Sequence, residues 1–122
     1  MTPIQIVIDT NVLVTAVRSN RGASFALLDR LGDSCWRPNV STALVLEYES
    51  ALKREFVRQG RNPALADDLL NVVLEVANRR AVFFRWQPFL PDPQDDFVLE
   101  LAVASGARFI VTYNSKHLYQ VL

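Results

Sequence analysis

The chain lacks most of the residues that staple a fold or anchor it in a membrane. Its single cysteine, Cys35, rules out an internal disulfide. A lone cysteine of this kind reads as a small buried hydrophobe rather than a nucleophile. No apolar run approaches the roughly 20 residues that a membrane-crossing helix needs, and no basic start followed by an apolar run resembles a signal peptide. A cytoplasmic location is therefore the expectation. Neither sign of charge is in excess: 13 basic and 13 acidic residues give a formal net charge of zero. A nucleic-acid clamp carries surplus lysine and arginine to exchange for counterions, so the balance argues against one. Low-complexity tracts, Gly/Ser-rich or Pro-rich linkers and internal repeats are missing too. At 122 residues this leaves one domain, 1–122, as the expected organisation.

What is present is a large apolar fraction, 50% of residues, enough for a core at this length. Ile4 to Ile8 is a short β-branched run, polar only at Gln5, ending abruptly at Asp9-Thr10-Asn11. Such a run reads as a buried parallel strand, and open α/β sheets bind ligands at the carboxyl ends of their strands. Asn11 to Val17 predicts a helix, interrupted at Ser19-Asn20-Arg21-Gly22 and resumed from Ser24 to Leu31, with Gly32 as its stop. Ser34 to Val40 predicts a weak strand that Pro38 restricts to an edge or an end. A helix capped by Ser41 or Thr42 runs to about Val57, with Leu44, Tyr48, Ala51 and Leu52 on one face and Glu47 on its flank. Glu55 falls on the apolar face close to the helix end.

Gly60-Arg61-Asn62-Pro63 breaks the chain before a second long helix, Ala64 to Ala77, with a stripe of Leu65, Leu69, Val72, Val73 and Val76. Ala81 to Phe84 predicts a short strand, and Pro88, Pro91 and Pro93 mark a loop. Gln94 or Asp95 opens a helix through Ala104 that is apolar nearly all round and so is expected to be buried. Gly106 ends it. Arg108 to Thr112 is a last short strand running into Thr112, Asn114, Ser115, Lys116 and His117. Strands alternating with helices imply an α/β fold with a mostly parallel sheet.

The chemistry-bearing candidates are Asp9, Glu47, Asp95, Asp96 and Asn114. Hard cations such as Mg²⁺ and Mn²⁺ take oxygen ligands, and carboxylates from separate segments can gather around one or two such ions. Each residue alone has a plainer reading. Asp9 serves as a turn former or helix cap, Glu47 as a solvated helix acid, and Asp95 and Asp96 as partners of a helix dipole. Only the combination, in chain order and each at an element end or core flank, points to a metal. Arg18, Arg21, Lys53, Arg54, Arg58, Arg61, Arg79 and Arg80 are candidates for a basic rim around it. His117 reads as a surface residue, and Trp36 and Trp86 as core or interface rather than base-stacking residues.

Val7-Ile8-Asp9-Thr10-Asn11-Val12-Leu13-Val14 resembles the opening of PIN domains, in which a strand ends in an aspartate followed by Thr or Ser and Asn. Leu46-Glu47-Tyr48-Glu49 resembles the family's second acidic segment. The run from Asp92 to Ala102 resembles the third, and Phe109 to Asn114 the closing strand and polar turn. The nearest subgroup in this resemblance is the toxin component of bacterial toxin–antitoxin pairs, similar to VapC toxins. It implies a three-layer α/β/α domain with a short, mostly parallel central sheet. It also implies a metal-dependent endoribonuclease using Mg²⁺ or Mn²⁺, with RNA as substrate, a cognate antitoxin as partner, and a homodimer or higher oligomer. By the same resemblance Asp9, Glu47 and Asp96 are metal-binding acids, and Asp95 is a further ligand. Thr112 is a hydroxyl residue near the site, and Asn11 supports the first acid. Asn114 stands where many members carry a fourth acid and brings no charge. The family usually continues into another strand after the polar turn, and this chain stops at Leu122. Two other functions stay open. One is an inactive PIN-like domain that binds protein or RNA. The other is a response-regulator-like or phosphatase-like domain, disfavoured because no suitably placed lysine follows the late strand.

Overall fold

The computed structural model describes residues 2–19, 22–81 and 93–112, with the backbone alone at 23–25 and 93–97. Ile6, Val7 and Ile8 are buried in succession. Adjacent residues of a strand point to opposite faces, so both faces of β1 (Ile4–Ile8) are covered, as in an all-parallel sheet sandwiched by helices. The chain continues through α1 (Thr10–Arg18), α2 (Ala23–Asp29), β2 (Trp36–Val40), α3 (Thr42–Arg58), α4 (Leu65–Val76), β3 (Asn78–Arg79), α5 (Pro93–Ser105) and β4 (Phe109–Val111). The sheet order is β3-β2-β1-β4, with every pair parallel. Helices flank it in the expected three-layer α/β/α arrangement. Among the described residues no helix is long and apolar enough to cross a membrane.

Chain order and sheet order together locate the crevice. From β1 the chain moves outward through β2 to β3, then returns to place β4 on the other side of β1. The direction of winding therefore reverses between β1 and β4, and at such a switch point the connections part to leave a crevice at the carboxyl ends. Asp9 follows β1 and Thr112 follows β4, one on each side of that gap.

Local chemistry sets the element ends. Ser41 is the N-cap of α3, its Oγ accepting from Leu44 N at 3.2 Å. Gly60 and Gly106 have φ of +72° and +68° and close α3 and α5. In each case the glycine amide and the one after it turn back on the helix: Gly60 N reaches Val57 O and Arg61 N reaches Phe56 O, while Gly106 N reaches Val103 O and Ala107 N reaches Ala102 O.

Several expectations need correction. Pro38 lies in an inner strand, not at an edge of the sheet. Alternate residues of a strand turn their amides to the same side. The Val40 carbonyl accepts from Arg80 N on the β3 side, so the nitrogen of Pro38 also faces β3. β3 pairs only with Asn39 and Val40, and no ladder bond is lost at Pro38. Of the strand expected at Ala81–Phe84 only Ala81 is described, and 82–84 lie outside the described residues; a strand that was not expected, β3, forms at Asn78–Arg79. An edge strand tolerates the charged arginine there. The buried stripe of α4 is Ala66, Leu70 and Val73, while Val72 is 49% exposed. The helix packs on α3 and β2 with a face turned slightly from the expected one. α5 is not buried all round either. Val98, Leu101, Ala102 and Ser105 form its buried stripe at helical spacing, and Val103 is 65% exposed. Cys35 is exposed, because it lies in a turn where its N–H donates to Asp33 Oδ1 at 2.8 Å. Its thiol is pushed up in pKa by the hydrogen bond and charge of Asp33, which disfavours the thiolate.

Candidate functional site

Asp9 follows the last residue of β1 and is the N-cap of α1. Its backbone is tied to β4, with Asp9 N donating to Val111 O at 2.8 Å. One carboxylate oxygen does the capping work, accepting from Thr10 N at 2.8 Å. The other accepts from the Thr112 hydroxyl at 2.7 Å and, more distantly, from Asn11 Nδ2 at 3.5 Å. Asn11 Nδ2 also donates to Thr112 Oγ1 at 3.3 Å. Thus the cap and the constellation are compatible, and Asp9 belongs to both. A carboxylate offers about four lone-pair positions, so these bonds leave Asp9 capacity for a cation. Thr10 Oγ1 is buried beside it, without a hydrogen-bond partner among the described residues.

Glu47 projects from the second turn of α3 and is half-buried, with Oε2 shielded from solvent. Tyr48 connects it to Asp9. The Tyr48 ring is buried, and its hydroxyl donates to the carbonyl of Ile8, the last residue of β1. Burial pushes the phenol well above the usual tyrosine range, and the negative charges of Asp9 and then Glu47 push it further. Both carboxylates therefore lie within electrostatic reach of one buried hydroxyl at the end of β1. A pair of carboxylates with a hydroxyl beside them is the donor set that Mg²⁺ or Mn²⁺ prefers, and these residues fit such an ion.

The remaining candidates are divided. Asp95 and Asp96 fall in the first turn of α5, with their side chains outside the described residues. Asn114, His117, Trp86 and Arg21 lie outside the described residues altogether. Among the described residues no three acidic, histidine or cysteine side chains form a metal-holding group. Trp36 is half-buried and packs against the core.

The basic residues do not form one rim. Arg18 and Arg58 both close on Glu55, Lys53 lies 3.7 Å from Glu49 and 3.8 Å from Asp67, and Arg61 stacks over the Phe56 ring. Among the described residues of that set, Arg79 and Arg80 stand at the carboxyl edge of the sheet, at the end of β3.

Two arrangements escape a reading by periodicity. Glu55 is buried with Arg18 Nε at 2.5 Å, Arg58 Nε at 2.7 Å and Gln59 Nε2 at 3.2 Å, which holds its carboxyl down to about 2, chiefly through Arg58 and then Arg18. An acid on the apolar face of a helix was the available signal. The second is an amide ladder across the sheet. Gln5 Oε1 accepts from Asn39 Nδ2 and Asn78 Nδ2, each at 2.9 Å. One polar residue in an otherwise apolar buried strand was its signal.

Comparison with known proteins adds a family. The family model described as "PIN domain" matches residues 5–116 of the chain. No match was found among curated proteins.

Proposed function

Because the chain belongs to the PIN domain family, we propose that it is a divalent-metal-dependent endoribonuclease, acting in the cytoplasm as the toxin of a type II toxin–antitoxin pair. PIN domains are in general metal-dependent nucleases that act on nucleic acid, which supports the coarser part of this reading. The observation that carries it is the state of Asp9. Its carboxylate stands at the switch point of the sheet, held by Thr112 from the far side of the crevice and by Asn11 from α1, and the charges of Asp9 and Glu47 both bear on the buried Tyr48 hydroxyl.

In this reading Asp9, Glu47 and Asp96 hold Mg²⁺ or Mn²⁺, with Asp95 as a further ligand. A divalent ion there supplies Lewis acidity and an activated water. Thr112 fixes the rotamer of Asp9 by donating to Oδ2, and Asn11 ties the two together, so the carboxylate is oriented before substrate arrives. Asn114 is in this reading an uncharged oxygen donor. An antitoxin that masks the site and a homodimer or higher oligomer belong to the same reading. Asn114, an amide where many members carry an acid, favours a second reading: a weak or inactive domain that binds protein or RNA.

The test is incubation of the purified protein with structured and unstructured RNA, in Mg²⁺ or Mn²⁺ and in chelator, beside Asp9→Asn. Metal-dependent cleavage that the variant loses supports the nuclease. A folded wild type that cuts nothing across a broad RNA panel moves the protein to the binding reading.

A further inference from the structure

A second polar feature lies on the same edge of the sheet and is not part of the acidic site. A pocket of about 220 Å³ opens where β2 and β3 end, lined by Val40, Ser41, Thr42, Leu46, Arg79 and Arg80 among others. All four strands are parallel, so this pocket and Asp9 share one edge. Leu46 lines the pocket and Glu47 is the next residue. With strands about 4.8 Å apart, the end of β3 lies roughly 10 Å from that of β1.

Arg80 is held in place from inside the sheet. Its Nε donates to Asn39 Oδ1 at 3.1 Å, and Asn39 is fully buried. The Asn39 amide is in turn fixed by Gln5 Oε1 at 2.9 Å and by the Ile6 carbonyl at 3.1 Å. Asn78 donates to the same Gln5 oxygen, and Arg80 N donates to Val40 O at 2.8 Å. A chain of amides across β1, β2 and β3, fully buried at Asn39 and half-buried at Gln5 and Asn78, thus meets two exposed guanidiniums: Arg37 at Asn78 Oδ1, 3.5 Å away, and Arg80 at Asn39, the one of the two at the carboxyl edge, whose outer nitrogens are not used by the ladder. Asn39 sits where an aliphatic residue would suit the buried strand, and a buried amide is stable there only when fully bonded. This arrangement fixes the direction of an arginine, which is what bidentate recognition of a phosphate requires.

We infer that the Arg79–Arg80 pocket is a binding site for a backbone phosphate of single-stranded RNA, next to the strand position that the acids cut. Arg80 is the main donor, Arg79 adds charge, and Gln5 and Asn39 are positioning residues that act through Arg80. The inference rests on the nuclease reading for the identity of the strand. Phosphate contacts of this kind set register and affinity without reading sequence. The spacing to Asp9 matches a phosphate close to the scissile one along the same strand, and the rest of the basic surface offers no equivalent at this edge among the described residues.

The experiment is anisotropy of a labelled single-stranded RNA in chelator, where the strand stays intact, as a function of salt. The proteins are wild type, Arg80→Ala, Arg80→Lys and Arg108→Ala. Arg108 is exposed just before β4, at the opposite edge of the sheet, and controls for net charge. Arg80→Ala is expected to bind on the order of tenfold more weakly and to lose about 0.7 to 1 from the salt slope. Arg80→Lys, which keeps the charge but not the fork, is expected to stay close to Arg80→Ala, and Arg108→Ala close to wild type. Equal losses in Arg80→Ala and Arg108→Ala, or wild-type binding by Arg80→Lys, would overturn the site. A wild type that cuts RNA with metal while Arg80→Ala binds normally removes the pocket and leaves the nuclease standing. A wild type that neither cuts nor binds RNA removes both.

Discussion

Replacing Glu55 by glutamine keeps the shape of a buried side chain and removes its charge. Glu55 joins the last turns of α1 and α3: Arg18 reaches it from one helix and Arg58 from the other, while Gln59 bonds both Glu55 and the Val17 carbonyl at 3.0 Å. A carboxyl held at about 2 instead of 4.5 sets a ceiling of about 3 kcal/mol, at about 1.4 kcal/mol per pH unit. The two guanidiniums are 54% and 63% exposed, so water screens the pair, and about 1–2 kcal/mol is the expected net cost of Glu55→Gln at pH 7. Because the folded pKa is depressed, this contribution is complete above the unfolded carboxyl near 4.5 and is lost as pH falls through about 2. Less than half of it should remain at pH 3. Urea unfolding of both proteins at pH 7 and pH 3 measures the gap. Equal midpoints at pH 7, or a gap at pH 3 as large as at pH 7, would refute the reasoning.

Three further perturbations follow from the same geometry. Tyr48→Phe leaves the Ile8 carbonyl without its buried donor and should cost about 1–2 kcal/mol in urea unfolding. The folded phenol is raised well above 10, so wild type should lose stability as pH rises above the unfolded tyrosine value, a loss that Tyr48→Phe should lessen. Thr112→Val removes the 2.7 Å bond to Asp9 and should lower the RNA cleavage rate roughly tenfold or more, with the melting temperature nearly unchanged. Gly106→Ala meets no neighbouring atom, so its cost is the left-handed backbone at φ +68° alone, about 1–2 kcal/mol, visible as a Tm lower by several degrees.

The strand-and-helix order is legible in the sequence because each element carries a strong local signal. β1 is an apolar run broken only by Gln5, α3 has a serine cap, and α3 and α5 both end at a glycine. Asp9 is legible for the same reason, since an acid directly after a buried parallel strand stands where such sheets bind ligands. Its partner Thr112 comes from the other end of the chain, and residue spacing alone carries no sign of their hydrogen bond. Burial was harder to read than periodicity. Val72 and Val103 have the hydrophobicity of core residues, and tertiary packing turned them outward. Pro38 looked like an edge marker because the brevity of β3, which makes it harmless in an inner strand, cannot be read from β2. Arg80 and Arg58 are indistinguishable in composition. Only the structure shows one anchored to a buried amide, Asn39, and the other bound to a buried acid.

The proposed function makes the carboxyl edge between β1 and β4 a divalent-metal centre built on Asp9. Titration of Mn²⁺ into the metal-free protein, followed by the loss of the free-ion paramagnetic resonance signal, tests it directly on wild type and on Asp9→Asn. Saturable binding in wild type, weakened at least tenfold in a folded Asp9→Asn, is the expected result. Equal Mn²⁺ binding by the two proteins, or none by a folded wild type, would contradict the account.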